Sequence, residues 1–420
     1  MSPEQHRTRQ LVWVYTGDLS TDLDAATWLQ TAAHLRRQGW ELTLITTTAD
    51  ASATGVTQIQ GVEVLSLHAP SIWLFGKLIF HARAAALILA QRRTLSAVIF
   101  HEMSALWLLP LRLLGRRGPR LVMDTRTLFM AADETTTRKD RLRARYFAAM
   151  QWLGNRLAHG RLCITPAMAE ACRIPQTKLW GIWPSGVDRE TFAVALDSRH
   201  WPQHSSPIEI VYIGSLHKER NLSSLCFAVR NANLETPRFR LTLIGDGSER
   251  PQLERQVLRS GGAIQLIPPV AHSAVPGLLA QAHVGALPFP DEQKFRVSSP
   301  IKLFEYMASG LPILATRIRC HTDVLGDRPY VYWAEGADIE ALLDALEQLW
   351  RTRFWLSRLG QQAARDATTW TWNASAKRLS DALDAHLPPV PTPLPRAAST
   401  GRDQSQLAAL KLSRGTDEWI

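Results

Sequence analysis

Short apolar runs alternate along this chain with longer stretches whose apolar residues recur every three to four positions. "LVWVYTG" (11–17) reads as a strand, and "AATWLQTAAHLRRQGW" (25–40) as a helix that stops at Gly39. "ELTLITT" (41–47), "LSAVIFHE" (95–102) and "RLVMDTR" (120–126) read as further strands, and "RLCITPAMAEACR" (161–173) as strand, turn and helix. Strands that alternate with amphipathic helices predict a parallel sheet covered by helices on its faces.

The pattern breaks near "GIWPSGVDRETF" (181–192) and the polar stretch "DSRHWPQHSSP" (197–207), then restarts. "IEIVYIGS" (208–215) and "FRLTLIGDG" (239–247) are strands followed by the helices "LSSLCFAVRNA" (222–232) and "ERPQLERQVL" (249–258). "GAIQLIPPV" (262–270), "AVPGLLAQA" (274–282), "VGALPF" (284–289), a helix from Ser299 and "LPILAT" (311–316) continue the series. The predicted architecture is α/β, with two doubly wound domains over 1–190 and 191–370. An amphipathic helix over 371–387 follows, then a flexible tail over 388–420, rich in Pro, Ser and charge.

The 420 residues suffice for domains with sizeable cores, and an apolar content of 45% is that of a soluble globular protein. No secretory signal or run of 18 apolar residues is read, and the four cysteines have no paired or metal-ligand spacing, so a reducing cytoplasm is the expected location. The formal net charge of +10 is uneven. Residues 71–120 hold eight Lys/Arg against the single acid Glu102, mixed with Leu, Ile, Trp and Phe. Such a strip lies on an anionic membrane face, peripheral on its inner side, or is an ordinary buried helix edged by solvated arginines. No zinc knuckle, ribonucleoprotein motif or basic helix beside a heptad is present, so nucleic acid is not an expected partner.

Three segments carry candidate chemistry. "YIGSLHKERNL" puts Gly214 at a strand end and Arg220 before a helix, and "LIGDGSE" repeats the plan with Gly245 and Gly247. Glycine turns of this kind let a backbone approach a ligand in front of a helix N-terminus. In "SPIKLFEYMASGLP" (299–312), Ser299 is the expected N-cap and Pro300 the first helical residue. Lys302 then stands in the electropositive first turn, at an expected cost of about 0.3–1 kcal/mol. An anion shared with Arg220 offsets that cost, and two cations suit a diphosphate. Glu305, three residues on, shares the helix face with Lys302 and can accept from sugar hydroxyls. The alternative is a solvated intrahelical ion pair.

These segments resemble the retaining glycosyltransferases of family 4. The likeness lies in "VYIGSLHKERNL", "LIGDGSERPQLE", "PPVAHSAVPGLLAQAHVGALPF" and "SSPIKLFEYMASGLPILAT", in their order and spacing. "PSGVDRETF" (184–192) is similar to that family's interdomain turn and "TWTWNASAKRL" to its closing helix, which crosses back to the first domain. The first half matches in outline, clearest in "GDLSTDLDAATWLQTAAHLRRQGWELTLIT" and "VIFHEMSALWL". The resemblance implies the GT-B fold, two Rossmann-like domains facing across a cleft. It implies transfer of a sugar from a UDP- or GDP-sugar to a saccharide or lipid-linked acceptor, with retention, without metal and without a cofactor beyond the co-substrate. Arg220 and Lys302 match the pair that neutralises the donor diphosphate, and Glu305 the carboxylate that binds ribose. Val270 matches the segment at the nucleobase, Gly17 the first strand's end at the cleft, and His101 a histidine near the reacting sugar. Gly214, Gly245 and Ser299 complete the donor-binding set. His101 taken by itself is a structural residue as readily as a cleft residue.

Two departures stand out. Many members of that family place a glutamate where this chain has Val297. The glycine-rich first loop is replaced by "TGDLSTDLDAAT", whose Asp18, Asp22 and Asp24 either bind acceptor hydroxyls or cap the next helix. Asp22-Leu23-Asp24 precedes a helix rather than ending a strand, so no metal site is expected there. Two further readings are a non-catalytic nucleotide-sugar-binding subunit and a nucleotide-sugar epimerase.

Overall fold

The computed structural model describes residues 9–19, 25–70, 73–128, 138–202 and 206–388. Among them, fourteen strands form two sheets. The first sheet holds β1 (Arg9–Val14), β2 (Trp40–Thr48), β3 (Gly55–Ile59), β4 (Val62–His68), β5 (Leu95–Phe100), β6 (Arg120–Thr125), β7 (Gly160–Cys163) and β8 (Leu179–Ile182). Their order is β3-β4-β2-β1-β5-β6-β7-β8, parallel except for β3. The second sheet holds β9 (Ile208–Ile213), β10 (Phe239–Ile244), β11 (Ile264–Ile267), β12 (Val284–Leu287), β13 (Ile313–Thr316) and β14 (Val331–Ala334), in the order β11-β10-β9-β12-β13-β14, all parallel. This is the doubly wound pair that the alternating pattern predicts. The strand order reverses at β1/β5 in one sheet and at β9/β12 in the other, where open α/β sheets bind ligands beyond the strands' carboxyl ends.

Period-two alternation fixes the layers. In β1, Leu11 and Trp13 face one buried cluster while Val12 and Val14 face another on the opposite side. The first of these clusters is completed from far along the chain. Ala376, Leu379, Ala382 and Leu383 of the Trp372–His386 helix pack with Trp13, Trp28 and Leu44. Trp40 Nε1 donates to Ser380 Oγ at 2.8 Å, and Arg9 pairs with Asp384. The second sheet has one continuous core that includes Phe192 of the Arg189–Asp197 helix, ahead of β9.

Residues outside the strands also join the two halves. Val187 N donates to Trp370 O at 2.9 Å, and Trp372 N donates to Val187 O at 3.3 Å. Val297, 3% exposed, packs with Cys163, Ile164, Ala167 and Met168 of the first half. Thr165 Oγ1 donates to Val297 O at 2.7 Å, Ser185 N donates to Ser299 Oγ at 3.1 Å, and Arg319 grips both oxygens of Glu170 at 2.6 and 2.9 Å.

The sequence pattern did not reveal several elements. β3 and β4 form a two-residue hairpin at Gln60-Gly61, whose φ values of 51° and 76° are those of a type I′ turn. β14 extends the second sheet beyond "LPILAT". The basic, apolar strip forms the Trp73–Ala90 and Glu102–Leu108 helices and then a 3₁₀ stretch over Leu109–Arg117 that kinks at Gly115. No helix among the described residues is long and apolar enough to cross a membrane. Asp22, Asp24 and the tail from 389 onward lie outside the described residues.

Candidate active site

β9 ends at Ile213, and Gly214 follows with φ at +144°, a conformation open to glycine. A Cβ there would lie 2.0 Å from Lys302 Cε. The lysine side chain therefore lies directly across the Gly214 backbone. Gly245, at φ +142° beyond β10, is explained differently: its Cβ would lie 1.9 Å from Gly214 O. The close approach that demands glycine at 245 is to the neighbouring turn, so Gly245 supports Gly214 from behind.

Arg220 closes the Lys218–Arg220 3₁₀ turn. Its Nε donates to Ser215 Oγ at 3.2 Å, and its guanidinium lies over Phe289 and Phe295, 5.1 and 5.2 Å from the ring centroids. Stacking on two rings holds the planar cation at little rotamer cost. Lys302 and Arg220 thus meet consecutive residues of one turn, 214 and 215.

The helix that carries Lys302 begins one residue later than its sequence suggests. Pro300 is the N-cap, with φ −70° and ψ 115°, and the helix runs Ile301–Ala308. Ser299 makes no cap; its hydroxyl accepts from Ser185 N of the first half instead. Lys302 therefore occupies the second helical position, still in the electropositive first turn. The helix is pinned by Tyr306, whose hydroxyl accepts from Ile213 N at 3.1 Å and whose ring lies against Gly285. Leu303, Phe304, Tyr306 and Met307 are fully buried and Glu305 is 8% exposed. The helix face that carries Glu305 is not a solvated one. Glu305 Oε1 meets His272 Nε2 at 3.3 Å. His272 lies two residues beyond the half-buried Val270, in the loop after β11.

The first sheet contributes a second group. Thr16 Oγ1 and His101 Nε2 lie 2.9 Å apart, which links the carboxyl ends of β1 and β5. Next to Thr16, Gly17 O accepts from Thr47 N at 3.1 Å and Thr46 Oγ1 at 2.7 Å. Burial, helped by His81 and Lys77, brings the His101 pKa down to about 4. The imidazole is neutral at physiological pH and serves as a hydrogen-bonding group. Behind it, Glu102 accepts from Gln151 Nε2 at 2.5 Å and from Thr125, and Arg161 Nη2 donates to Thr125 Oγ1 at 2.8 Å, which fixes the ends of β5 and β6.

The structure brings Gly214, Arg220 and Lys302 together by contact, with Glu305 one helical turn on. His101 and Gly17 form their own group at the other switch point. Sequence reasoning missed His272, Thr16 and Ser185. His272 was findable, as a titratable residue in the loop that carries Val270. Thr16 and Ser185 act through partners distant in sequence.

Comparison with known proteins bears on this arrangement. The family described as "Glycosyl transferases group 1" matches residues 207–352, and the "Glycosyl transferase 4-like domain" matches 25–174. A comparison with curated protein sequences finds no match. Among solved structures, a sucrose-phosphate synthase from Thermosynechococcus elongatus superposes with a TM-score of 0.70 at 18% identity, covering 89% of this chain and 97% of its own. The Anabaena protein HepE in complex with UDP gives 0.67 at 13%, covering 90% and 100%. A lipopolysaccharide outer core galactosyltransferase, WaaB, gives 0.65 at 11%, covering 90% and 100%.

Proposed function

The chain belongs to the group 1 glycosyltransferases of the GT-B fold, and on that premise we propose that it moves a sugar from a nucleotide-diphosphate donor to a saccharide or lipid-linked acceptor, with retention and without a metal ion. One observation carries the donor assignment. Lys302 and Arg220 meet one glycine turn at the second sheet's switch point, and Glu305 is buried one turn further along the same helix. HepE, similar in fold, has been solved with UDP-glucose.

Cleavage of the anomeric bond builds negative charge on the leaving diphosphate. Fixed cations aimed at that charge contribute about 3–4 kcal/mol each. Arg220 is fixed by its two rings and Lys302 by its place over Gly214, so neither needs large rearrangement as the charge develops. Glu305 accepts from ribose hydroxyls. His101, neutral, hydrogen-bonds near the reacting sugar and does not donate a full proton.

A membrane-borne acceptor is supported by the surface of the first half. Leu78, Leu106 and Leu113 are 42%, 51% and 92% exposed among Lys77, Arg83 and Arg112. The Arg138–Leu157 helix, with Asp140 as its one acid, packs beside the Glu102–Leu108 helix and adds Leu142 and Trp152, 70% and 56% exposed. Arg112 Nη1 donates to Leu157 O at 2.7 Å and joins the two segments. Apolar side chains set between arginines suit an anionic lipid surface on the cytoplasmic side.

Calorimetric titration with UDP and with GDP tests the donor site. One nucleotide is expected to bind, and Lys302→Ala and Glu305→Ala are each expected to weaken it. Absence of binding at millimolar nucleotide would overturn the assignment, and binding without turnover on any acceptor would make the chain a nucleotide-sugar-binding subunit.

A further inference from the structure

Glu305, read as the ribose-binding group, has three side-chain torsions, and its carboxylate lies on the same helix face as the proposed diphosphate grip. Something must hold the group in one orientation and limit its repulsion of the phosphates. His272 is that group's neighbour. It opens the His272–Ala274 3₁₀ turn after β11, and its Nε2 lies 3.3 Å from Glu305 Oε1. The ring edge packs on Phe192 at 5.7 Å between centroids, with the planes 72° apart. Phe192, 1% exposed, belongs to the second sheet's core, so the imidazole rests on a rigid support. The Arg189–Asp197 helix that carries Phe192 is capped by Asp188, whose charge also acts on His272. The charged groups that face the ring are thus Glu305 from one helix and Asp188 from the cap of another, both acids.

We propose that His272 is a positioning residue for the donor: it pins Oε1 of Glu305 so that the carboxylate faces the ribose, and in its charged form it offsets the carboxylate's repulsion of the diphosphate. The inference rests on the reading of Glu305 as the ribose-binding group. The hydrogen bond to Glu305 raises the pKa of His272 above the ordinary imidazole value, with burial acting the other way. Charged His272 therefore persists to a higher pH than a free imidazole, and donor affinity falls as pH rises through that range.

The test is calorimetric binding of UDP-glucose and GDP-mannose from pH 6 to 8.5. The diphosphate diesters of these donors do not titrate there, so a slope reports on the protein. Wild type is expected to lose up to about fivefold in affinity across the range, the scale of one partly exposed ion pair. His272→Ala is expected to be weaker by a similar factor at pH 6 and flat with pH. His272→Gln, which keeps a hydrogen-bond donor without charge, is expected to be flat and intermediate. A wild-type slope retained in His272→Ala overturns the proposal. Glu305→Gln separates the two levels. If it binds donor as wild type does, or if neither donor binds wild type, the ribose reading fails and the inference with it. If Glu305→Gln is weakened while His272→Ala keeps both slope and affinity, the positioning role alone fails.

Discussion

The two switch points of the molecule are built from opposite materials. At the end of β9, two cations lie on consecutive residues of one turn, and a buried carboxylate follows. At the ends of β1 and β5, Thr16 meets an imidazole whose pKa of about 4 keeps it neutral. One switch point thus presents two fixed cations, and the other a neutral imidazole. On the proposed function, that contrast suits the two parts of a nucleotide-sugar donor. The leaving diphosphate gains charge as the bond breaks, while the sugar's hydroxyls remain neutral throughout.

The sharpest way to break the comparison is to remove the two kinds of group separately. Lys302→Ala and Arg220→Ala are each expected to lower turnover by about 10²–10³-fold, from the loss of about 3–4 kcal/mol of transition-state stabilisation. His101→Asn, which retains a donor and an acceptor, is expected to cost only about fivefold, the scale of one neutral hydrogen bond. Equal losses on the two sides, measured as kcat at saturating donor, would show that the division by charge is wrong.

A second test concerns the seam between the halves. Val297→Glu places a carboxylate among the buried Cys163, Ile164, Ala167 and Met168. The expected cost is about 2–4 kcal/mol of stability, seen as a lower Tm at pH 7 that partly recovers at pH 5 as the carboxyl protonates. A Tm unchanged at both pH values would mean that the halves separate there without cost.

The smallest effect near neutrality is one that the halves share. His101 and His159 in the first, and His283 and His321 in the second, all have folded pKa values of about 4 because burial disfavours the charged ring. The unfolded chain, with imidazoles near 6.5, binds more protons between those values. Their contribution to stability is complete above pH 6.5 and is lost as pH falls through 6.5 towards 4. Tm followed from pH 7.5 to 4.5 should decline steadily in that window, and a flat profile would contradict it.

The second half was the more legible in sequence. Its strands end in glycine turns, and the buried Ile301–Ala308 helix carries Lys302 and Glu305 in a pattern that local rules mark as unusual. The one-residue error at Ser299 arose because the hydroxyl that could have capped the helix is bound by Ser185, 114 residues away. The first half hid more. The β3–β4 hairpin turns on Gln60-Gly61, a weaker signal than Asn-Gly. His272 and Glu305 meet across 33 residues, and no local periodicity encodes that pairing. Gly245 was read as a ligand contact, but its demand for glycine comes from Gly214 O, a neighbour visible only once β9 and β10 are paired.

The return of the Trp372–His386 helix onto the first sheet bears on how the chain is made. The cluster around Trp13, Trp28 and Leu44 lacks part of its cover until Leu379 and Leu383 leave the ribosome, more than 300 residues later. At about 5–20 residues per second, that is tens of seconds in which this core is incomplete. The core of the second sheet is complete by Trp370. The core of the half that is synthesised second is therefore complete in sequence before that of the first.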